Sequence, residues 1–332
     1  MNREEVLASI ERAIQDGATE LNLANQAIEY LPPEIGRLSG LVRLDLDGNS
    51  FPNVPVEIGN LSRLEVLQLG GNHELKVIPQ EVFNLPHLTD LTLPGFETAV
   101  SPQIGDLRSL EILGFVSGSL KTLPEEIANC GNLTELYVNF TLLEELPARI
   151  GELINLRKLH LWNMSLEPSN LLPPQISQLL NLRELHILGN QIKFLPPEIG
   201  DLCNLTELTM IGTGLDELSP EIGRLEKLEK LSIAGCNFNV IPEEIGALAN
   251  LKKLKIVNTP VKELPDGLGA LTQLEELDIH SLQIEMLPDE IMKLPKLKKL
   301  TISKRDYPRL KNSIDGLPDS VKLDLMPSRW DP

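Results

Sequence analysis

The stretch LHILGNQIKFLPPEIGDLCNLT, residues 185–206, contains the pattern that decides how this chain folds. It begins with two apolar residues on either side of a polar one (LxL), and it continues into the motif LPPEIG. The pattern recurs along the 332 residues, mostly at intervals of 23 residues. A period of this length is typical of a solenoid, in which each repeat buries its apolar side chains against its neighbours. The first leucines of the successive LxL units are Leu21, Leu44, Leu67, Leu91, Leu113, Leu136, Leu159, Leu185, Leu208, Leu231, Leu254, Leu277, Leu300 and Leu323.

Each repeat is predicted to combine a short strand with a short helical segment. The alternation in LxL has a period of two, so its leucines face the core and the residues between them face the other way. In the next segment, Pro197 presets φ for a first helical turn and Glu198 lies near the positive end of that turn. Helical segments are wider than strands spaced about 4.8 Å apart, so the stack must curve. The predicted fold class is an α/β solenoid, a curved horseshoe with a parallel inner sheet of about 14 strands and short helical segments on its convex side.

The two ends of the chain are predicted to close the stack. Apolar residues between Val6 and Ile14 recur at helical spacing, and Asn2 precedes them as a candidate N-cap. Such a helix would cover the apolar end of the first repeat; binding a partner is the alternative role. The predicted domains are a capping helix at residues 1–17, the repeats at residues 18–305, and a degenerate last repeat with a C-terminal cap at residues 306–332.

The composition and charge of the chain limit its partners and its location. The net charge of −18 and the pI near 4.8 argue against a nucleic-acid-binding surface or an anionic membrane, because both require clustered Lys and Arg. Residues 1–16 are charged where a secretory signal would be apolar, and no stretch is apolar for long enough to insert into a membrane. Three cysteines without metal spacing, Cys130, Cys203 and Cys236, favour a reducing cytoplasm.

The motif LxxLPxEIGxLxxLxxLxLxxN resembles the intracellular class of leucine-rich repeat proteins, which includes the Ras-group and Scribble-like proteins. The resemblance covers nearly the whole chain. The opening stretch from Gly17 to Leu23 is also similar to bacterial repeat arrays, some of which precede Roc GTPase modules. The resemblance implies a scaffold for protein–protein interaction.

One conserved feature of that family is retained only in part. The family uses an Asn five residues after the first strand leucine, where its amide bonds backbone groups of adjacent coils, and this chain has it at Asn49, Asn72 and Asn190. Where no polar group replaces the amide, we expect local irregularity, because buried backbone groups lose a partner. Small substitutes stand at Thr141, Thr213, Cys236 and Thr259, and the pattern is broken at Phe96, Gly118, Met164, Leu282 and Arg305.

Catalytic motifs are missing from the sequence. It contains no GxxxxGK[ST] loop, HExxH pair, CxxC set or GxSxG elbow, so we predict no enzyme and no cofactor. His160 and His186 occupy the same position on neighbouring coils, but Tyr137 and Thr209 stand at the matching positions on either side of them. Because two ligands do not make a site, we predict no metal, and these histidines either face a ligand or are solvated.

The residues that point away from the core define a candidate binding face. They lie one and three positions after each strand leucine, and large apolar groups concentrate there in the middle of the chain. Aromatic residues make up only 4% of the chain, so a cluster of them on adjacent coils favours a binding surface over local packing, which is the alternative. The predicted protein-binding residues on this concave face are Val116, Tyr137, Phe140, His160, Trp162, His186, Leu188 and Ile211.

Two further features stay open at the level of sequence. The coil from Leu159 to Leu185 carries three extra residues near residues 167–170, which either form a wall of the site or are neutral. Acidic residues such as Asp47 lie early on the candidate face and lysines such as Lys255 lie late, so charge either orients a partner or is simply solvated.

We therefore predict a cytoplasmic, bacterial interaction scaffold that acts as a monomer and binds a protein partner of unspecified identity. One alternative is a regulatory sensor module of a larger signalling system, for example one with a Roc-type GTPase. The other alternative is a secreted bacterial effector that engages host proteins.

Overall fold

The structure, a computed structural model, describes residues 1–95, 100–163 and 172–327. It contains two compact units, Met1–Met164 and Ser165–Pro332. Among the helices that the structure describes, none has the length and hydropathy that crossing a bilayer requires.

The first unit begins with helix α1 (Arg3–Gln15) and continues as a series of parallel strands in chain order. The strands are β1 (Glu20–Asn22), β2 (Arg43–Asp45), β3 (Val66–Gln68), β4 (Asp90–Gly95), β5 (Ile112–Gly118), β6 (Glu135–Thr141) and β7 (Lys158–Asn163). Short helices connect them, namely α2 (Gln80–Phe83) and the 3-10 helices Pro33–Arg37, Val56–Asn60, Pro102–Asp106, Glu125–Asn129 and Ala148–Glu152.

The second unit repeats this arrangement and ends with helix α3 (Tyr307–Ile314) before its last strand. Its strands are β8 (Glu184–Leu188), β9 (Glu207–Ile211), β10 (Lys230–Ala234), β11 (Lys253–Val257), β12 (Glu276–Asp278), β13 (Lys299–Ser303) and β14 (Lys322–Met326). Its 3-10 helices are Pro174–Gln178, Pro197–Asp201, Pro220–Arg224, Glu243–Ala247, Asp266–Ala270 and Asp289–Lys293.

The register of the strands confirms the repeat alignment. In the first unit each strand leucine from Leu21 to Leu159 pairs with the leucine of the next coil. In the second unit the same pairing runs from Leu185 to Leu323, so the degenerate tail does form a further coil. Leucines such as Leu208 are fully buried, because alternation turns them towards the connecting helices. The predicted parallel solenoid is confirmed.

Helix α1 begins where the sequence predicts. Its N-cap is Asn2, whose Oδ1 accepts from the Glu5 backbone N–H at 3.0 Å, while the Glu5 carboxylate accepts from the Asn2 N–H at 2.8 Å. Each of these bonds satisfies a backbone donor that a helix start leaves without a partner. Val6 and Ile10 are fully buried, so the helix lays an apolar stripe on the first repeat.

Most helical segments between strands are single 3-10 turns; the exceptions among the described residues are α2 in the first unit and α3 in the second. In the stretch quoted at the outset, Pro196 is extended, and the Ile199 N–H donates to its carbonyl at 2.9 Å. The next coil approaches closely: a Cβ at Gly200 would lie 2.6 Å from the carbonyl oxygen of Glu221. Glycine at this position of the motif therefore allows successive turns to stack.

The asparagine ladder is present at Asn49 and Asn72 in the first unit. The Asn49 side-chain amide donates to the carbonyls of Leu23 and Leu46 at 2.9 and 2.8 Å, which lie on adjacent coils. Its backbone N–H in turn donates to Asn72 Oδ1 at 3.1 Å. The ladder thus holds consecutive turns together, as the family resemblance implies.

Irregularity appears in the first unit where the ladder is broken. Strands β4 to β7 have six or seven residues, whereas β1 to β3 have three. The register shifts between Pro94 and Gly95 and between Asn139 and Thr141. Gly118 meets Gly95 so closely that a Cβ at residue 118 would lie 1.4 Å from the Gly95 carbonyl oxygen.

The remaining positions of the broken ladder have different outcomes. In the second unit the buried Thr213 Oγ1 and Cys236 Sγ are 3.2 Å apart. These two small residues thus contact each other across adjacent coils at the positions where the family has asparagines. Leu282 packs into the core with 4% of its surface exposed. Phe96 and Met164 lie outside the described residues.

Candidate functional site

The candidate site lies on the face of the strands opposite to the buried leucines, which we call the open face. In the first unit, strand pairing aligns Gly114, Tyr137 and His160 in one row across β5, β6 and β7. A second row on the same strands contains Val116, Asn139 and Trp162. Five of the predicted binding residues therefore lie on three consecutive strands or directly beside them.

Four of these residues form two aromatic pairs, which we call the aromatic patch. The rings of Tyr137 and His160 lie edge to face with centroids 4.9 Å apart. Phe140 and Trp162 form a second edge-to-face pair at 5.6 Å. This geometry places the positive edge of one ring over the negative face of the other and is worth about 0.5–1.5 kcal/mol per pair. Val116 belongs to neither pair.

Mutual packing does not remove the patch from water. Phe140 keeps 45% of its surface exposed and Trp162 keeps 36%. Tyr137 and His160 are half-buried. Local packing therefore accounts for the Tyr137–His160 pair better than for the Phe140–Trp162 pair, whose apolar surface faces solvent.

The backbone of Phe140 adopts a left-handed conformation that sequence reasoning did not detect. Its φ is +57°, and the register shift makes it the extra residue between Asn139 and Thr141, so it is a β-bulge. A bulky residue in this region carries about 1–3 kcal/mol of strain. The signal that could have revealed it is the glycine at the same repeat position elsewhere, namely Gly48, Gly71, Gly189, Gly212 and Gly235, all with positive φ.

A polar network holds Tyr137 of the Tyr137–His160 pair in place. The Tyr137 hydroxyl donates to the Glu135 carboxylate, and Lys158 Nζ lies 3.1 Å from Glu135 Oε1. Burial alone would raise the pKa of Glu135, but the hydrogen bonds from Tyr137 and Lys158 and the charge of Lys158 lower it below its ordinary value. Glu135 is therefore ionised at neutral pH and holds the Tyr137 ring in place.

The other three predicted residues lie in the second unit. Strands β8 and β9 pair His186 with Thr209 and Leu188 with Ile211, so the two aliphatic residues are neighbours. Ile211 is 38% exposed. His186 Nε2 lies 3.5 Å from Glu207 Oε1. The structure thus brings Leu188 and Ile211 together as a small apolar area with a polar histidine beside it.

Acidic residues on the open face of the first unit have perturbed pKa values. Burial, followed by the nearby charge of Asp45, raises the pKa of Asp47 to about 6. Burial also raises the pKa of Asp90, although the Gln68 amide donates to its carboxylate at 3.0 Å. Small neighbours such as Gly70 leave these carboxylates set back into the face, which the sequence pattern did not reveal.

Several lysines of the late coils are paired with acids on adjacent coils, whereas Lys255 on the open face is exposed. Lys253 Nζ lies 2.7 Å from Glu276, and Lys299 Nζ lies 2.9 Å from Asp324. These exposed pairs reduce the positive charge available to a partner. The extra residues of the long coil near residues 167–170 lie outside the described part of the chain.

Parallel strands in sequence order, a short helical segment, mostly a 3-10 turn, between successive strands, and an internal asparagine ladder together define a leucine-rich repeat solenoid. The family described as leucine-rich repeat region matches residues 66–191, 167–259 and 235–320, which is well over half of the chain. The chain belongs to this leucine-rich repeat family.

Solved structures agree with this assignment. A leucine-rich repeat protein of Leptospira interrogans is 31% identical, with a TM-score of 0.73 over 92% of this chain and 84% of that one. An internalin of Listeria monocytogenes is 19% identical, with a TM-score of 0.75 over 97% of this chain and 93% of that one, and it supports the fold alone. A search of curated proteins finds none that matches the chain.

Proposed function

We propose that this chain is a protein-interaction scaffold that recognises a protein partner through the aromatic patch on the open face of its first unit. Leucine-rich repeat proteins generally serve as interaction scaffolds, which supports the class of function. Exposed aromatic side chains on a rigid sheet support the location, because Trp and Tyr are favoured anchors of protein interfaces.

The observation that carries the proposal is the conformation of Phe140. Five other coils use glycine at this position, and glycine takes the left-handed conformation without strain. Phe140 instead combines a strained backbone with a side chain that is 45% exposed, so both of its features cost free energy in the isolated protein. Burying the exposed part of the Phe140 side chain against a partner stabilises by about 1 kcal/mol, which offsets part of that cost in a complex.

The apolar area of the second unit is proposed as a further contact for protein. Leu188 and Ile211 are adjacent, and His186 beside them offers a polar group that can fix orientation. A small aliphatic area with a polar neighbour suits the edge of an interface better than its centre. We therefore assign the main contribution to the aromatic patch.

The proposal includes recognition without catalysis, without a cofactor, and by a monomer in the bacterial cytoplasm. The cysteines support the reducing compartment, because Cys130 and Cys236 are buried as free thiols and Cys203 is a free exposed thiol. The net charge of −18 supports a partner other than nucleic acid or an anionic lipid surface.

The test compares Phe140→Gly with Phe140→Ala in capture of partners from a lysate of the source cell, followed by calorimetric titration of the main captured protein. Both variants should bind at least tenfold more weakly, because each removes the anchor. In urea unfolding, Phe140→Gly should be more stable than Phe140→Ala by about 1 kcal/mol in the free energy of unfolding. Glycine is ordinarily the less stable of the two, but here only glycine relieves the positive φ.

Ser281→Gly is the matched control, because Ser281 also has a positive φ of 59° but belongs to the second unit and is not part of the aromatic patch. It should retain the affinity of the unmodified protein. Undiminished binding by Phe140→Gly would contradict the proposal.

A further inference from the structure

A second exposed apolar feature lies on the loops of the second unit, away from the open face. Phe194, Val240 and Met286 are 60%, 66% and 66% exposed, far more than the residues of the aromatic patch. Each stands nine residues after its strand leucine, so the three occupy one position of the repeat on alternate coils. On the coils between them the same position holds Glu217 and Glu263, which are also exposed. We call these five residues the loop row.

The loop row is held in a fixed register by the coils beneath it. The residue after each member is a buried leucine or isoleucine, for example Leu195 and Ile241, so the row residue is forced outwards. Adjacent loops are hydrogen-bonded like strands: the Asp216 N–H donates to the Lys193 carbonyl at 2.9 Å, and the Gln283 N–H donates to the Val261 carbonyl at 2.8 Å. Successive members of the row are therefore about 4.8 Å apart, and its apolar members are about 9.6 Å apart.

Carboxylates border the row on the side where the 3-10 helices begin. Two lysines, Lys193 and Lys262, stand one residue before members of the row, so they flank its other side. Acids outnumber them clearly, and the first helical turns contribute Glu198, Glu221, Glu243, Glu244, Asp266, Asp289 and Glu290. An apolar row with such a border attracts a cationic partner and repels an acidic one.

We propose that the loop row docks a cationic amphipathic α-helix of a partner protein, at a site separate from the aromatic patch. A helix rises about 10.5 Å over seven residues, which matches the spacing of Phe194, Val240 and Met286 to within about 1 Å. In such a helix, the residue three or four positions after each apolar residue lies on the same face, about midway between two successive apolar residues. Basic residues there meet Glu217 and Glu263.

Other peptide conformations fit the row less well. An extended strand presents side chains to one face about every 6.8 Å, which matches neither spacing. A polyproline II segment repeats its face about every 9.3 Å, which suits the apolar members, but it presents no side chain halfway between them. The alternation of apolar and acidic members therefore selects a helix with apolar residues every seven positions and basic residues between them.

The test uses a fluorescent synthetic helix of about 21 residues with Leu every seventh position and Lys four positions after each Leu, measured by fluorescence anisotropy at low salt. We expect binding that weakens at least tenfold when Phe194, Val240 and Met286 are all changed to Ser. The control is Leu180→Ser, an equally apolar side chain that is 55% exposed in the same unit but outside the row, and it should leave the affinity unchanged. Thermal melting confirms that the variants are folded.

A charge exchange distinguishes docking on the row from general attraction to an acidic protein. Glu217→Lys combined with Glu263→Lys should weaken binding of the Lys helix and allow binding of a helix with Glu at the same positions. The proposal is overturned if the triple Ser variant binds the helix as well as the unmodified protein, if the exchange does not restore binding, or if a polyproline peptide with Leu every third residue binds more tightly.

Discussion

At the scale of single residues, Asp47 makes the stability of the first unit depend on pH. Its pKa is raised to about 6 from the ordinary value of 3.8, chiefly by burial. The folded state therefore binds the proton more tightly than the unfolded chain does. Protonated Asp47 therefore contributes stability to the folded state that is complete below about pH 4 and is lost as the pH rises through about 6.

Asp47→Asn should consequently stabilise the protein at pH 7.5 and not at pH 4, because the amide carries no charge to desolvate. We expect a gain of about 1 kcal/mol in the free energy of unfolding at pH 7.5, after allowing for screening of a partly exposed group. Urea unfolding at both pH values measures it. Glu285→Gln, at an exposed carboxylate of the second unit, is the control, and an equal gain there would contradict the assignment to Asp47.

Phe140 shows what residue-level reasoning from sequence can and cannot reach. Its proximity to Trp162 follows from the repeat spacing, because coils of nearly constant length stack in register. Its left-handed backbone does not follow from its own identity, since positive φ belongs to this position of the repeat and recurs in other coils. Only comparison with the glycines of other coils carries that information.

At the scale of elements, the close pair Gly95 and Gly118 allows strands β4 and β5 to extend beyond the usual length. A Cβ at residue 118 would lie 1.4 Å from the Gly95 carbonyl oxygen, a distance that no side-chain movement can relieve. Gly118→Ala should therefore force the backbones apart and cost more than about 3 kcal/mol of stability, which exceeds the loss caused by most single substitutions.

Gly131→Ala is the matched control, because nothing lies within 4 Å of a Cβ at that position. Its effect on the free energy of unfolding should stay within about 1 kcal/mol, and it should be stabilising if the smaller entropy of the unfolded chain dominates. Urea unfolding of both variants provides the comparison. Equal stabilities would show that the pair tolerates separation.

The elements differ in how far the sequence could predict them. The strand register follows from the leucines alone, because a slip of one residue would turn every leucine out of the core. The lengthening of β4 to β7 has no such pattern, since the leucines are spaced almost identically in the coils whose strands have three residues. The candidate site lies on these irregular strands, which is why its residues were predictable by position but not by conformation.

At the scale of the whole molecule, ion pairs between coils and repulsion among the excess acidic residues have opposite effects on stability. Acidic residues exceed basic ones by 18, which opposes compaction. Ion pairs between coils, such as Lys252 with Glu229 at 2.8 Å and Lys298 with Glu275 at 2.7 Å, act against this repulsion. They are exposed, and pairs of this kind contribute only about 0–1 kcal/mol each.

Salt screens both effects, but it removes more repulsion than attraction. Added salt at about 0.5 M shortens the screening distance to a few ångströms, so the many repulsions between like charges on different coils vanish while contact pairs weaken only in part. We therefore expect the melting temperature to rise by several degrees between about 20 mM and 0.5 M NaCl. Calorimetric scans in NaCl and KCl should agree, because screening does not depend on the cation. A falling melting temperature would mean that the inter-coil ion pairs, and not the buried leucines alone, hold the solenoid together against its charge.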